Sequence, residues 1–195
     1  LQSTRLVQLI IQIFNFVAWS SCFLLYNLDF LLYISGVVAR GGKAPPRYDV
    51  FLSHNWSDGA HDKMIKLNGA LMARGVTCFL DQNDFDRWGS GGDLPAQMTQ
   101  AMDHSSLFLC TINKDYLDKI DGKGKLGQRD NCKFEFTYAI NRMGTKRVVP
   151  LVTSSQYTDP QEWHGPVGGF LADQFWECYL AEAQLETVAD NICQR

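Results

Sequence analysis

The chain has 195 residues, 46% of them hydrophobic and 20% charged, a balance that suits one folded domain with an appendage. A formal net charge of −3 gives no electrostatic case for binding nucleic acid. Six cysteines (Cys22, Cys78, Cys110, Cys132, Cys178 and Cys193) without a CxxC pair, and four histidines without zinc-site spacing, argue against a disulfide framework and a structural metal.

Residues 1–40 form a hydrophobic zone, with no charged residue from Leu6 to Leu28. As a helix rising about 1.5 Å per residue, residues 6–28 would span roughly 34 Å, enough to cross a bilayer core. Arg40, Lys43 and Arg47 follow the segment while only Arg5 precedes it, which would put the rest of the chain on the cytoplasmic side. Gln8, Gln12, Asn15 and Asn27 are costly in lipid, and Asp29 interrupts the run. Three readings stay open: a membrane anchor, a helix packed on the domain or a partner, and a signal-like or non-native extension. The chain begins at Leu1, as a fragment would. Residues 41–46, GGKAPP, break any helix and read as a linker.

From Arg47 the signals alternate between strand and helix. Tyr48–Ser53 is a strand apolar on both sides, which needs a sheet covered on both faces. It runs into a polar cluster of Ser53, His54, Asn55, Ser57 and Asp58. A helix follows over His61–Arg74, closed by Gly75, and then a short apolar run, Val76–Leu80. The loop from Asp81 to Asp93 contains Trp88 and three glycines. Leu94–Met102 is a helix with Asp93 as N-cap and Pro95 in its first turn. Ser106–Ile112 is a third strand, and the segment to Asp130, with Lys114, Lys119, Lys123 and Lys125, reads as a solvated loop. Asn131–Met143 is a helix with Phe136, Ile140 and Met143 on one stripe, and Arg147–Val152 is a fourth strand. Thr153–Gly169 reads as irregular, Phe175–Tyr179 as an edge strand, and Ala181–Cys193 as a closing helix. Such βαβα alternation predicts an α/β domain with a parallel sheet, whose ligands bind at the carboxyl ends of the strands.

Several motifs bear on chemistry. Glu135 lies one turn inside its helix and shares a face with Cys132. Such a carboxylate can stabilise an oxocarbenium-like centre on a sugar. From spacing alone, its commoner role is to favour the helix dipole, or to pair with Lys133 or Arg142 on a solvated face. Residues 122–127, GKGKLG, match GxGxxG literally but do not directly join a strand to a helix, so the dinucleotide fingerprint does not apply. Ser53 and His54 are adjacent on a strand and point to opposite faces, which speaks against a nucleophile–base pair. No acid ends the third strand, which excludes a phosphorylation receiver domain.

The segment YDVFLSHNWSD, the strand VTCFLD ending in an acid, Gly92-Asp93-Leu94, and Asn131-Cys132-Lys133-Phe134-Glu135-Phe136 together resemble a Toll/interleukin-1 receptor (TIR) domain. The spelling SHNW, with DNCKFEF and WHGPVG, is most similar to TIR-like proteins of unicellular eukaryotes. The resemblance spans residues 47–180, with 181–195 as a C-terminal helix. It implies a flavodoxin-like sandwich around a parallel sheet of about five strands. It further implies innate-immunity-like signalling by self-association with other TIR domains, through a loop that includes Trp88, Gly89, Gly92 and Asp93. Many family members cleave NAD⁺ at the nicotinamide–ribose bond, which implies Glu135 as catalytic residue, a ligand site bordered by Ser53, Asn55, Trp88 and Cys132, and NAD⁺ as a substrate rather than a permanent cofactor. The chain departs from the family pattern at Asn131, where tryptophan is usual, and in the Trp88–Gly92 stretch, which lacks the common central proline. A scaffold or adaptor with a degenerate NAD⁺ site is the alternative.

Overall fold

The computed structural model describes residues 47–57, 59–80 and 94–195, which belong to one compact unit, Pro46–Arg195. The hydrophobic zone, the linker and the loop of residues 81–93 lie outside the described residues. Among the described residues, no helix is long and apolar enough to cross a membrane.

Five strands form a parallel sheet: β1 (Tyr48–Ser53), β2 (Cys78–Phe79), β3 (Ser105–Ile112), β4 (Val148–Val152) and β5 (Glu177–Cys178), in the order β2-β1-β3-β4-β5. Pairing runs Phe51 to Phe79, Ser53 to Cys110, Ile112 to Val152 and Leu151 to Glu177. Successive side chains alternate faces, so β1 feeds two cores. Phe51 joins Phe79 and Phe108 in a stacked row, with ring centroids 4.7 and 5.4 Å apart. Helices α2 (Leu94–Asp103), α3 (Lys114–Ile120), α4 (Asn131–Met143) and α5 (Gly165–Leu171) cover that face through Met102, Tyr116, Phe136 and Val167, among others. Val50 and Leu52 point the other way, onto α1 (Ala60–Ala73) and α6 (Leu185–Cys193), against Met64, Leu67, Val188 and Ile192. The three-layer architecture is therefore the expected flavodoxin-like one.

Two elements differ from the sequence reading. The segment read as a solvated loop after β3 contains α3. Asn113 caps it by accepting from the Tyr116 amide at 2.9 Å, and Tyr116, Leu117 and Ile120 are buried. The lysines suggested solvation, but the apolar side recurs at helical spacing beneath them. Within the stretch read as irregular lies α5, whose sequence, GPVGGFL, is poor in helix formers. Pro166 suits its first turn, and burial of Val167 and Leu171, one turn apart, outweighs propensity.

The chain runs from β1 outward to β2 and returns to β3 on the other side of β1. The strand order thus reverses between β1 and β3, and the crevice beyond their carboxyl ends is where open α/β sheets take ligands.

Candidate functional site

Ser53 ends β1 at that crevice and is 1% exposed. Its hydroxyl donates to Glu135 Oε2 at 2.5 Å and lies 2.9 Å from the Tyr116 hydroxyl. A serine has a single proton to give, so with that proton on the carboxylate the tyrosine is the donor to Ser53 Oγ. The order is therefore Tyr116 to Ser53 to Glu135, with Tyr116 fully buried and Glu135 8% exposed.

Helix α4 brings the carboxylate there. Asp130 caps it, accepting from the Cys132 amide at 3.0 Å, which fixes where the helix starts. Lys133 turns away to donate to the Ile120 carbonyl at 2.8 Å, and Arg142 pairs with Asp103 at 2.9 Å. Those two cations are therefore engaged elsewhere, and Glu135 sits in the domain rather than on a solvated face. Cys132, one turn earlier, points its thiol at the His54 carbonyl at 3.5 Å. Burial, reinforced by Glu135, pushes that thiol's pKa up, and burial likewise holds the Tyr116 phenol well above its ordinary range. Both stay protonated at neutral pH.

Asn55 has a different role. It is fully buried, and its carbonyl oxygen accepts from Asn113 at 2.9 Å and Thr111 at 3.3 Å. Its amide group donates to the Ser57 carbonyl, the Ser57 hydroxyl and Asp115 at 3.0 to 3.2 Å. Those bonds use both amide protons and both carbonyl lone pairs, so Asn55 braces the loop rather than offering polar atoms to a ligand. His54 Nε2 lies 2.7 Å from His61 Nδ1, and Trp56 stacks on His61 with centroids 4.1 Å apart. Ser53 and His54 thus face different partners, as their strand positions required. Trp56 borders an open cleft of about 500 Å³ with Asp115, Lys119, Lys125, Leu126 and Asp130. Residues 122–127 follow α3 rather than a strand, in keeping with a loop instead of a dinucleotide fingerprint. Among the described residues, no group of three or more His, Cys, Asp or Glu could hold a metal ion.

A family model described as "TIR domain" matches residues 50–185. The chain belongs to the TIR-domain family. The TIR domain of the Toll-related receptor TRR-2 from Hydra magnipapillata superposes with a TM-score of 0.53 at 14% identity, covering 75% of this chain and 96% of that one. A TIR-STING receptor from C. gigas, solved with 2′,3′-cGAMP, gives a TM-score of 0.55 at 18% identity, covering 78% of this chain and 40% of that one. At these identities the likeness speaks for the fold. A search of curated proteins gives no match.

In this TIR domain, the structure brings Ser53, Cys132 and Glu135 together, with Asn55 beside them. Trp88, Gly89, Gly92 and Asp93 lie outside the described residues. Sequence reasoning missed Tyr116, Asn113 and Asp115, all of which sit at or behind the rim. An asparagine followed by apolar residues at 116, 117 and 120 was the available signal for a capped helix there.

Proposed function

We propose that this TIR domain is a signalling module that works by homotypic association and, once assembled, cleaves NAD⁺ with Glu135 as the essential carboxylate. The observation that carries this reading is the burial of Glu135 beside the β1 rim, in the grip of Ser53. In the cleavage, the bond between nicotinamide nitrogen and ribose C1′ breaks, and nicotinamide leaves with the bonding electron pair. The ribose becomes oxocarbenium-like, water adds at C1′ and loses a proton, and ADP-ribose results. A carboxylate facing that centre stabilises the developing positive charge, and does so most effectively where water is excluded. The Tyr116–Ser53 pair would hold the carboxylate in one orientation. Cys132 would border the ligand as a neutral thiol, and Trp88 and the Gly89–Asp93 stretch would contribute to the ligand border and the association surface. NAD⁺ is substrate here, not a resident cofactor.

Asn131 favours a second reading, a non-enzymatic adaptor. Exposed in the first turn of α4, where the motif has tryptophan, an asparagine offers no aromatic ring to build the site. The full chain, concentrated to promote assembly and supplied with NAD⁺, separates the two. Nicotinamide release that Glu135→Ala abolishes, with the circular dichroism spectrum unchanged, supports the enzyme; no release from verified assemblies leaves the adaptor. For location, we propose a cytoplasmic domain anchored through residues 6–28, for which retention in the pellet after carbonate extraction is the expected result.

A further inference from the structure

At the opposite end of the sheet, where the strands begin, lies a cleft of about 610 Å³, within the size range of small-ligand sites. Its walls carry Arg74, Lys146, Arg147 and Arg195 against one acid, Asp49, in a chain whose net charge is −3. Its floor is apolar, made by Val50, Val76, Leu107 and Ile192.

Part of this positive charge has a structural purpose. Helices α1, α4 and α6 all end at this side of the sheet, and helix carboxyl ends attract cations. Arg74 donates to the Ala70 carbonyl and pairs with Glu186 and Asp190 at 2.8 and 2.7 Å, and Arg147 Nε donates to the Met143 carbonyl at 3.1 Å. Asp49 is itself engaged, accepting from the Thr77 amide and hydroxyl, both at 2.7 Å. The side chains of Lys146 and Arg195, just beyond the ends of α4 and α6, donate to no helix carbonyl among the described residues. Lys146 is exposed and makes no ion pair or hydrogen bond among the described residues. The Arg195 guanidinium carbon lies 3.6 Å from the centroid of the Phe175 ring, and its charge also acts on Glu177. The acids near the cleft are therefore engaged by internal partners, while Lys146 and the outer edge of Arg147 are not.

We propose that this cleft binds a phosphate-bearing ligand of nucleotide size, its anionic group held by Lys146, Arg147 and Arg195 and its less polar body on the Val50–Leu107 floor. The site lies away from Glu135 and does not depend on NAD⁺ cleavage. A soluble nucleotide and a phosphorylated lipid headgroup offer the same chemistry. Titration calorimetry of the full chain with ATP and with inorganic pyrophosphate tests the first source, and flotation with phosphatidylcholine vesicles carrying phosphatidylinositol 4-phosphate tests the second.

Binding to at least one of these probes is expected, weakening as salt rises. Lys146→Glu should weaken it about tenfold or more, the loss of one charge-assisted contact, without lowering the unfolding midpoint. Glu135→Gln should bind as the parent does. Cys193, exposed at the cleft edge, gives a second readout: the bound probe should slow its alkylation. No binding to any of the three probes, or unchanged affinity in Lys146→Glu, would overturn the proposal and leave the cations as helix-end neutralisers alone.

Discussion

Replacing Ser53 with alanine tests whether the Tyr116–Ser53–Glu135 order exists as described. The hydroxyl is 1% exposed, Tyr116 is fully buried and Glu135 is 8% exposed, so water cannot easily take the place of the lost group. Two partners lose a bond at once. Losing a bond to a buried polar group costs about 1–3 kcal/mol, less where another partner remains, as for Glu135 and for the phenol beside the Cys110 thiol. Ser53→Ala should therefore cost about 2–3 kcal/mol, or roughly 4–12 °C in Tm for a domain of this size. Tyr116→Phe alone leaves the Ser53–Glu135 bond intact and should cost about 1 kcal/mol. In the double variant the stranded phenol is gone, so the loss should be about 1 kcal/mol smaller than the sum of the single losses. Urea unfolding of the four proteins, with a shared m-value, measures this. Additivity within about 0.5 kcal/mol would refute the linked arrangement, as would a Ser53→Ala cost below that figure.

Three further substitutions probe other parts of the frame. Lys63 on α1 donates to the carbonyls of Thr153, Tyr179 and Leu180 at 2.9 to 3.1 Å, tying the helix to the ends of β4 and β5. Burial lowers its pKa, so desolvation returns part of that gain, and solvent screens the rest. Lys63→Met should cost about 1–2 kcal/mol by urea unfolding. Gly168 packs so closely on Trp163 that an added Cβ would overlap the Trp163 carbonyl oxygen. Gly168→Ala should lose about 2–3 kcal/mol, read as a drop in Tm, because backbone cannot rotate aside as a side chain can. Glu177 on β5 has its pKa raised from 4.5, chiefly by burial. The folded state then holds its proton more tightly than the unfolded state, so stability falls as pH rises from 4.5 through the raised value. Glu177→Gln should be more stable than the parent at pH 7, with the advantage gone at pH 4; equal midpoints at both pH values would contradict this.

How much of this was legible in the sequence depended on whether a signal was local. The strand at Tyr48–Ser53 and the helix at Asn131–Met143 announced themselves by apolar pattern and capping, because burial imposes both. The helix at Gly165–Leu171 did not, since three glycines and a proline hide a helix that tertiary packing enforces. Within the site, Glu135 was visible only through family resemblance, because a glutamate on a helix is commonplace. What distinguishes it is a contact with Ser53, 82 residues away, and no spacing rule reaches that far. Asn55 shows the converse. Its place in the polar cluster suggested ligand contact, while the partners that consume its amide, Asn113 and Asp115, come from a helix the lysines had disguised.

The two ends of the sheet can also be separated by experiment. Along α4, the distance from Glu135 to the helix end at Met143 is about 12 Å, and Lys146 lies beyond that end. Sites farther apart than about 7–10 Å with no shared partner act additively. Tyr116, Ser53 and Cys132 serve Glu135, whereas Lys146 has no contact with any of them. The double variant Glu135→Gln/Lys146→Glu should therefore show the nicotinamide release of the first single variant and the phosphate affinity of the second. A double variant whose phosphate affinity departs several-fold from that of Lys146→Glu would mean that the sheet transmits between its ends. That transmission would require an element with two arrangements, and α4, which touches both ends, would be the place to look for it.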